Sequence, residues 1–341
     1  MNSIKIFFFL LLSACTQVAN SQHEMSFQQT EDSLLVLSKT ILGSTDDSLK
    51  SKSNAVFSKL LKDMLAMDGA GAYIFEKLNT ISILAADDGK FRVFTWHIPW
   101  TDGTYSYFGL LHVKNKSKEK FDLYVLTDKS EKTLSPETKR LTPQSWYGAH
   151  YYKLIATRQM GKTVYTLLGW RGNNLLTSQK VIEVLSPGNN GRIEFGGNIR
   201  LQRKTCKRVI FEYSAQLSMS LKYYEKEELI VFDHLSAPDN LMLLDPKLEG
   251  QYSFYGPDFT YEALNWKNGR WNLVKDYDAR NPEPDTKELS PADMLRLEEL
   301  LNTIPEEDRA FYRKRYIRML KRRKQEGSQS KGISNDIYRS E

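Results

Sequence analysis

Few side chains in this sequence have both the type and the spacing that chemistry needs. The histidines are His23, His97, His112, His150 and His234, and none forms a close-spaced metal motif such as His-Glu-x-x-His. His97 and His112 fall on two runs that read as one hairpin, where they could face each other and share a metal with a carboxylate. The commoner role for strand-end histidines is a bond to backbone. Asp233-His234 has the composition of a hydrolytic dyad, yet neighbours on a strand point to opposite faces. Glu262, Asp276 and Asp278 gather near the last hairpin, and two carboxylates about 5–10 Å apart could serve a glycosidase. Acids at strand ends are more often turn-formers. There is no Gly-x-Ser-x-Gly elbow, no phosphate-binding loop and no Cys–His spacing of a nucleophilic enzyme. Gly196-Gly197 lacks the setting of a dinucleotide fold. Of the two cysteines, Cys206 sits between Lys204 and Lys207, where cations could lower its pKa, but a lone thiol at a strand start is the plainer reading. No catalytic residue, metal or cofactor is therefore assigned.

Two clusters could bind rather than react. Trp146, Tyr147, Tyr151 and Tyr152 are densely aromatic. Exposed, such rings stack on the apolar faces of sugars; buried, they are core. The second cluster is a helix predicted over 306–324. Tyr312, Tyr316, Met319 and Leu320 share a face that Arg313, Arg318, Lys321, Arg322 and Lys324 surround. Such a helix can lie on an anionic membrane or dock an acidic partner; otherwise its apolar stripe packs on the fold. Nine Lys or Arg and three Asp or Glu lie between Glu306 and Lys324. Subtracting them from the 48 basic and 42 acidic residues leaves 39 of each, so the whole excess of +6 resides in this segment. A nucleic-acid binder would spread the charge over a face, so no nucleic-acid partner is expected.

These clusters are positioned by a β-rich chain of 341 residues. Residues 1–21 read as an export signal: Lys5 supplies the positive charge, and the apolar run within Ile4–Ala14 is too short to span a bilayer. Leu12-Ser13-Ala14-Cys15 resembles a lipobox, which would lipidate Cys15; Ala19-Asn20-Ser21 fits ordinary cleavage instead. Residues 22–80 are expected to hold a tether and helices. One helix has Leu34, Leu37, Ile41 and Leu42 on a face, a second has Val56, Leu60, Leu61, Met64 and Leu65, and a short third covers Tyr73–Leu78. Residues 81–280 read as an antiparallel β domain of about twelve strands, a barrel or sandwich, with a propeller unsupported by any fixed repeat. Asp88-Gly89, Asp102-Gly103 and Asn268-Gly269 are its turn signals, and Leu217, Met219 and Leu221 alternate with Ser218, Ser220 and Lys222 as a half-buried strand would. Residues 128–145 read as a polar connection. Residues 281–326 are predicted to form C-terminal helices, with Ser290-Pro291 as a start signal, and 327–341 a disordered tail.

Trp146-Tyr147-Gly148-Ala149-His150-Tyr151-Tyr152, Thr166-Leu167-Leu168-Gly169-Trp170, Arg208-Val209-Ile210-Phe211-Glu212-Tyr213 and Ile230-Val231-Phe232-Asp233-His234-Leu235 resemble strings in a group of exported proteins of Bacteroidota. The resemblance covers about residues 70–280. It implies export and a shared β domain, and lends no catalytic residue. The expectation is an envelope protein of the periplasm or outer membrane that binds an envelope protein or an anionic surface through its basic helix. The alternative is glycan binding or hydrolysis on the aromatic sheet face.

Overall fold

The computed structural model describes residues 26–115, 120–159, 161–187, 192–202, 204–237, 250–274, 277, 291–306, 309, 312, 313, 316 and 317. Among the described residues, helix α1 (26–43) and helix α2 (Asp47–Ala66) lead into fifteen strands. The first sheet is a meander of β1 (Ser82–Ala85), β2 (Phe91–Pro99), β3 (Tyr105–Lys114) and β4 (Phe121–Thr127). The middle sheet runs β11 (Arg208–Ser214), β7 (Thr177–Pro187), β6 (Lys162–Gly172), β5 (His150–Gln159), with β8 (Ile193–Phe195) also paired to β7. The third runs β10 (Lys204–Cys206), β9 (Ile199–Leu201), β15 (Arg270–Val274), β14 (Gly256–Lys267), β13 (Leu229–Ser236), β12 (Leu221–Tyr224). All pairings between these strands are antiparallel except β15 with β9. Among the described residues the sheets are open and sandwich-like, with no closed barrel. Helix α3 (Pro291–Asn302) follows them.

Three hydrophobic cores stack these layers. Phe57, Leu61 and Met64 of α2 pack with Phe94, Trp96 and Ile98 of β2. The opposite face of the first sheet, with Phe91, Val93 and Leu111, meets Tyr151, Tyr165, Leu167 and Val181 of the middle sheet. Ile155, Leu168, Ile182 and Val184 then meet Ile230, Phe232, Leu264 and Trp271 of the third. The middle sheet is thus apolar on both faces, which is why β6 reads Val164–Leu168 without clean alternation.

Local chemistry sets the boundaries. Asp46 caps α2, its carboxylate accepting from Ser48 N at 2.8 Å and Leu49 N at 3.2 Å. Asn268 and Gly269 both take positive φ, 55° and 71°, as a two-residue hairpin of that hand requires. In the other two turns only Gly89 and Gly103 do so. Tyr73–Leu78 is not a helix. Glu31 of α1 accepts from the Lys77 and Leu78 amides at 2.7 and 2.9 Å and from Tyr73 Oη at 2.6 Å, so this stretch is held by a side chain instead of its own backbone. Leu42 and Val56, predicted on buried faces, are exposed. The alternation from Leu217 becomes a strand only at Leu221; Leu217 N instead bonds Ser214 O in a turn. The three strands beyond the predicted twelve are β8, β9 and β10, each three residues long.

Candidate functional site

The aromatic cluster is core. Trp146 and Tyr151 have no exposure and Tyr147 has 7%. Trp146 Nε1 donates to Tyr151 Oη at 2.8 Å, and Tyr151 Oη donates to Glu183 Oε2 at 2.5 Å. Arg208 Nε completes the line, donating to Glu183 Oε1 at 2.6 Å, with both side chains fully buried. The rest of the Arg208 guanidinium donates to the carbonyls of Pro136, Lys139 and Phe195. The predicted polar connection therefore supplies acceptors to a buried cation. Tyr152 alone keeps 37% exposure, because a bulge between Tyr151 and Lys153 turns it aside. Its hydroxyl donates to Leu221 O at 2.9 Å and Lys180 Nζ lies 4.7 Å from its ring centre. A sugar cannot stack on rings whose faces are packed, so for Trp146, Tyr147 and Tyr151 the predicted sugar platform is corrected to a structural network.

A second cation is buried nearby. Arg171 donates to the carbonyls of Tyr147 and Gly148 and to Ser130 Oγ at 3.1 Å. It lies 4.8 Å from the Tyr107 ring and 4.6 Å from the Tyr147 ring. Asp128 is 3.9 Å away; burial pushes its carboxyl above the usual range while Arg171 opposes that shift. Gly148, at φ 68°, is required here: a Cβ would fall 2.4 Å from the Asp128 carboxyl carbon.

The histidines do not meet as predicted. On the β2–β3 hairpin His97 lies opposite Tyr107 and His112 opposite Arg92, so the two are far apart in register. His112 is buried, with Arg92 Nη2 3.2 Å from its Nδ1 and Phe121 stacked on it at 4.4 Å. His97 instead meets His150 of β5, ring centres 5.5 Å apart. Tyr105, Tyr107 and Trp170 surround His97 at 5.8, 6.0 and 5.6 Å. Burial first, then His150, lowers His97 to about 4, and burial lowers His150. Sequence reasoning missed this pair because β2 and β5 lie in different sheets, which no local spacing reveals.

Asp233 and His234 separate as strand neighbours should. Asp233 Oδ2 accepts from Ser220 N at 2.7 Å, whereas His234 Nδ1 lies 2.9 Å from Asp258 Oδ2. Three β14 residues bulge opposite His234, and Phe259 takes φ 64° with 66% exposure. Asp258 Oδ1 accepts from Thr260 N and Oγ1 at 3.0 and 2.7 Å, which fixes the bulge. Glu262 faces Phe232 in the register; Asp276 and Asp278 lie outside the described residues. Cys206 is buried, and burial raises its thiol against the opposing effect of Lys204, which fits the plainer reading of a lone thiol in a strand. Among the described residues no group of three or more His, Cys, Asp or Glu is placed to hold a metal.

The C-terminal helices have a core of their own. Leu297, Leu301 and Ile317 are buried together, with Tyr312 and Tyr316 packed against them. Of the apolar stripe predicted for the basic helix, Tyr312 and Tyr316 thus pack against Leu297 and Leu301 of α3, and Met319 and Leu320 lie outside the described residues. Arg313 is exposed and, with Glu298, Leu301, Asn302 and Arg309, lines a cleft of about 430 Å³. Arg309 Nε donates to Ile304 O at 3.1 Å. Arg318, Lys321, Arg322 and Cys15, with the 1–21 and 327–341 segments, lie outside the described residues. No helix among the described residues is long and apolar enough to cross a membrane. No family model matches this chain, and no curated protein or solved structure is found to be similar to it.

Proposed function

We propose that this is an exported envelope protein that binds rather than catalyses, and that its C-terminal helical hairpin is the contact with an acidic protein partner. The observation that carries this reading is the separation of roles between the hairpin's faces. Tyr312, Tyr316 and Ile317 pack inward on Leu297 and Leu301, which leaves Arg309 and Arg313 on the surface. A helix that lies in a lipid interface must offer its apolar face to the acyl chains. Here Tyr312 and Tyr316 of that face are engaged, which supports an acidic protein over membrane insertion. The excess positive charge of the sequence in 306–324 supports the same reading. The signal read at 1–21 and the likeness to exported proteins of Bacteroidota support export.

The test is a cross-linked pull-down from native envelopes with the full chain and with Arg309→Glu/Arg313→Glu. The swap keeps Leu297 and Leu301 covered, which truncation after Asn302 would not. The expected result is an acidic partner captured at low salt, lost in the swapped protein and weakened at high salt. An unchanged set of captured proteins overturns the reading. Salt-sensitive sedimentation with anionic vesicles, without a protein partner, replaces it with membrane binding.

A further inference from the structure

We propose that His97 and His150 form a two-imidazole binding site for a first-row transition metal ion, with copper the best fit. Each ring has its Nδ1 buried with no hydrogen-bond partner. Buried polar atoms without partners are rare, and each calls for an explanation such as an ion or an ordered water. Here two orphaned nitrogens of the same kind occur in adjacent rings, 5.5 Å between centres and nearly perpendicular at 87°. With metal–nitrogen bonds of about 2.0–2.1 Å, two imidazoles sharing one ion have ring centres no more than about 6.5 Å apart. The observed separation lies inside that limit.

The protonation state suits ligation. A metal binds neutral imidazole and must otherwise displace a proton. Burial keeps both rings neutral at ordinary pH, and His150 further opposes a charge on His97. Both residues also sit on strands: His97 pairs with Tyr107 and His150 with Trp170, so the donors are held by two ladders and not by loops. Such a site needs little rearrangement to receive an ion.

The donor set selects the ion class. Nothing in this cluster is a thiolate or carboxylate, and Tyr107 Oη is already donating to Gly172 O at 3.0 Å. Two neutral nitrogens hold calcium or magnesium poorly, since these prefer several oxygens. Imidazole suits copper, zinc and nickel, and copper(II) leads the affinity order at nitrogen sites. With only two protein donors, the remaining positions belong to solvent or to a small exogenous ligand. The ion would exchange, unlike one in a closed four-ligand site.

The test uses the full chain stripped of metal with a chelator. Copper(II) and zinc(II) are titrated separately, reading tryptophan fluorescence and metal retained after desalting. One equivalent of copper is expected at micromolar concentrations, with quenching because Trp170 lies 5.6 Å from His97. Zinc should bind more weakly. His97→Gln and His150→Gln should each weaken copper binding at least tenfold, and His234→Gln should leave it unchanged. Pulsed electron paramagnetic resonance of the unmutated copper-loaded chain should count two imidazoles, which keeps the test valid if a variant fails to fold. Failure to retain an equivalent of copper, a count other than two, or binding indifferent to both substitutions in folded protein overturns the proposal.

Discussion

Aromatic residues 146–152 and the basic segment 306–324 are two dense clusters of the sequence, and the described residues of each are treated oppositely by the fold. The aromatics are drawn between sheets and tied to a buried ion pair. In the C-terminal hairpin Arg309 and Arg313 stay at the surface and a handful of apolar residues hold them there. The difference follows from what surrounds each cluster. Trp146 and Tyr151 lie beside a sheet covered on both faces, so their polar atoms must find partners inside, and Glu183 and Arg208 provide them. The described C-terminal residues share a small core, so Arg309 and Arg313 can remain hydrated.

The contrast can be broken most forcefully at Arg208. Arg208→Leu strands the Glu183 carboxylate in the interior and should cost about 3–5 kcal/mol in urea unfolding. Replacing both residues by leucine should recover much of that loss. A cost below about 1 kcal/mol for the single change would show that the middle sheet does not depend on its ion pair. Acid comes next. His97 and His112 are both lowered to about 4, His97 by burial and His150, His112 by burial and Arg92. The unfolded chain binds protons at these residues below about pH 6.5 while the folded chain does not, so stability is full above that pH. It should fall by a few kcal/mol between about pH 6.5 and 4 and level off where the folded histidines also protonate. His97→Gln should flatten that slope. The hairpin sequence 291–317 has no histidine and should keep its protection from exchange through the same window.

Two smaller effects sharpen the other side of the comparison. Leu301→Ala removes a main contact of the hairpin core and should cost about 2 kcal/mol. Proteolysis should then begin within the C-terminal helices, with the sheets intact. If the sheets melt at the same point, the hairpin is not an independent unit. Arg309→Glu/Arg313→Glu should change thermal stability by no more than about 0.5 kcal/mol, because these are surface positions. A large loss would mean that the cations serve the fold, and the proposed docking role would fail.

The sequence made the strand pairs legible wherever pattern and turn agreed. Asn268-Gly269 joins β14 to β15 as expected. What was not legible depended on partners distant in sequence. Tyr73–Leu78 has the look of a helix until the Glu31 carboxylate takes its amides. The three-residue strands β8, β9 and β10 have no periodicity to detect and exist because β7 and β15 offer them edges. The aromatic cluster could be named but its burial could not, since composition alone does not distinguish a platform from a core. The sequence pairs His97 with His112, and only the stacking of sheets shows that His97 meets His150 instead.

The parallel pairing of β9 with β15 has a consequence for how the chain matures. Ile199 must wait for Trp271, which is made much later, before the third sheet can close over the second. Until then Ile155, Leu168, Ile182 and Val184 lack the cover that Trp271 completes, although β5, β6 and β7 can already pair as consecutive hairpins. Pairings that span long stretches of chain form slowly, and uncovered apolar sheet surface invites association with other molecules. A nascent chain of this protein therefore passes through an interval in which its central sheet is formed and sticky, so a holding chaperone would have the most to do just before residue 271 emerges.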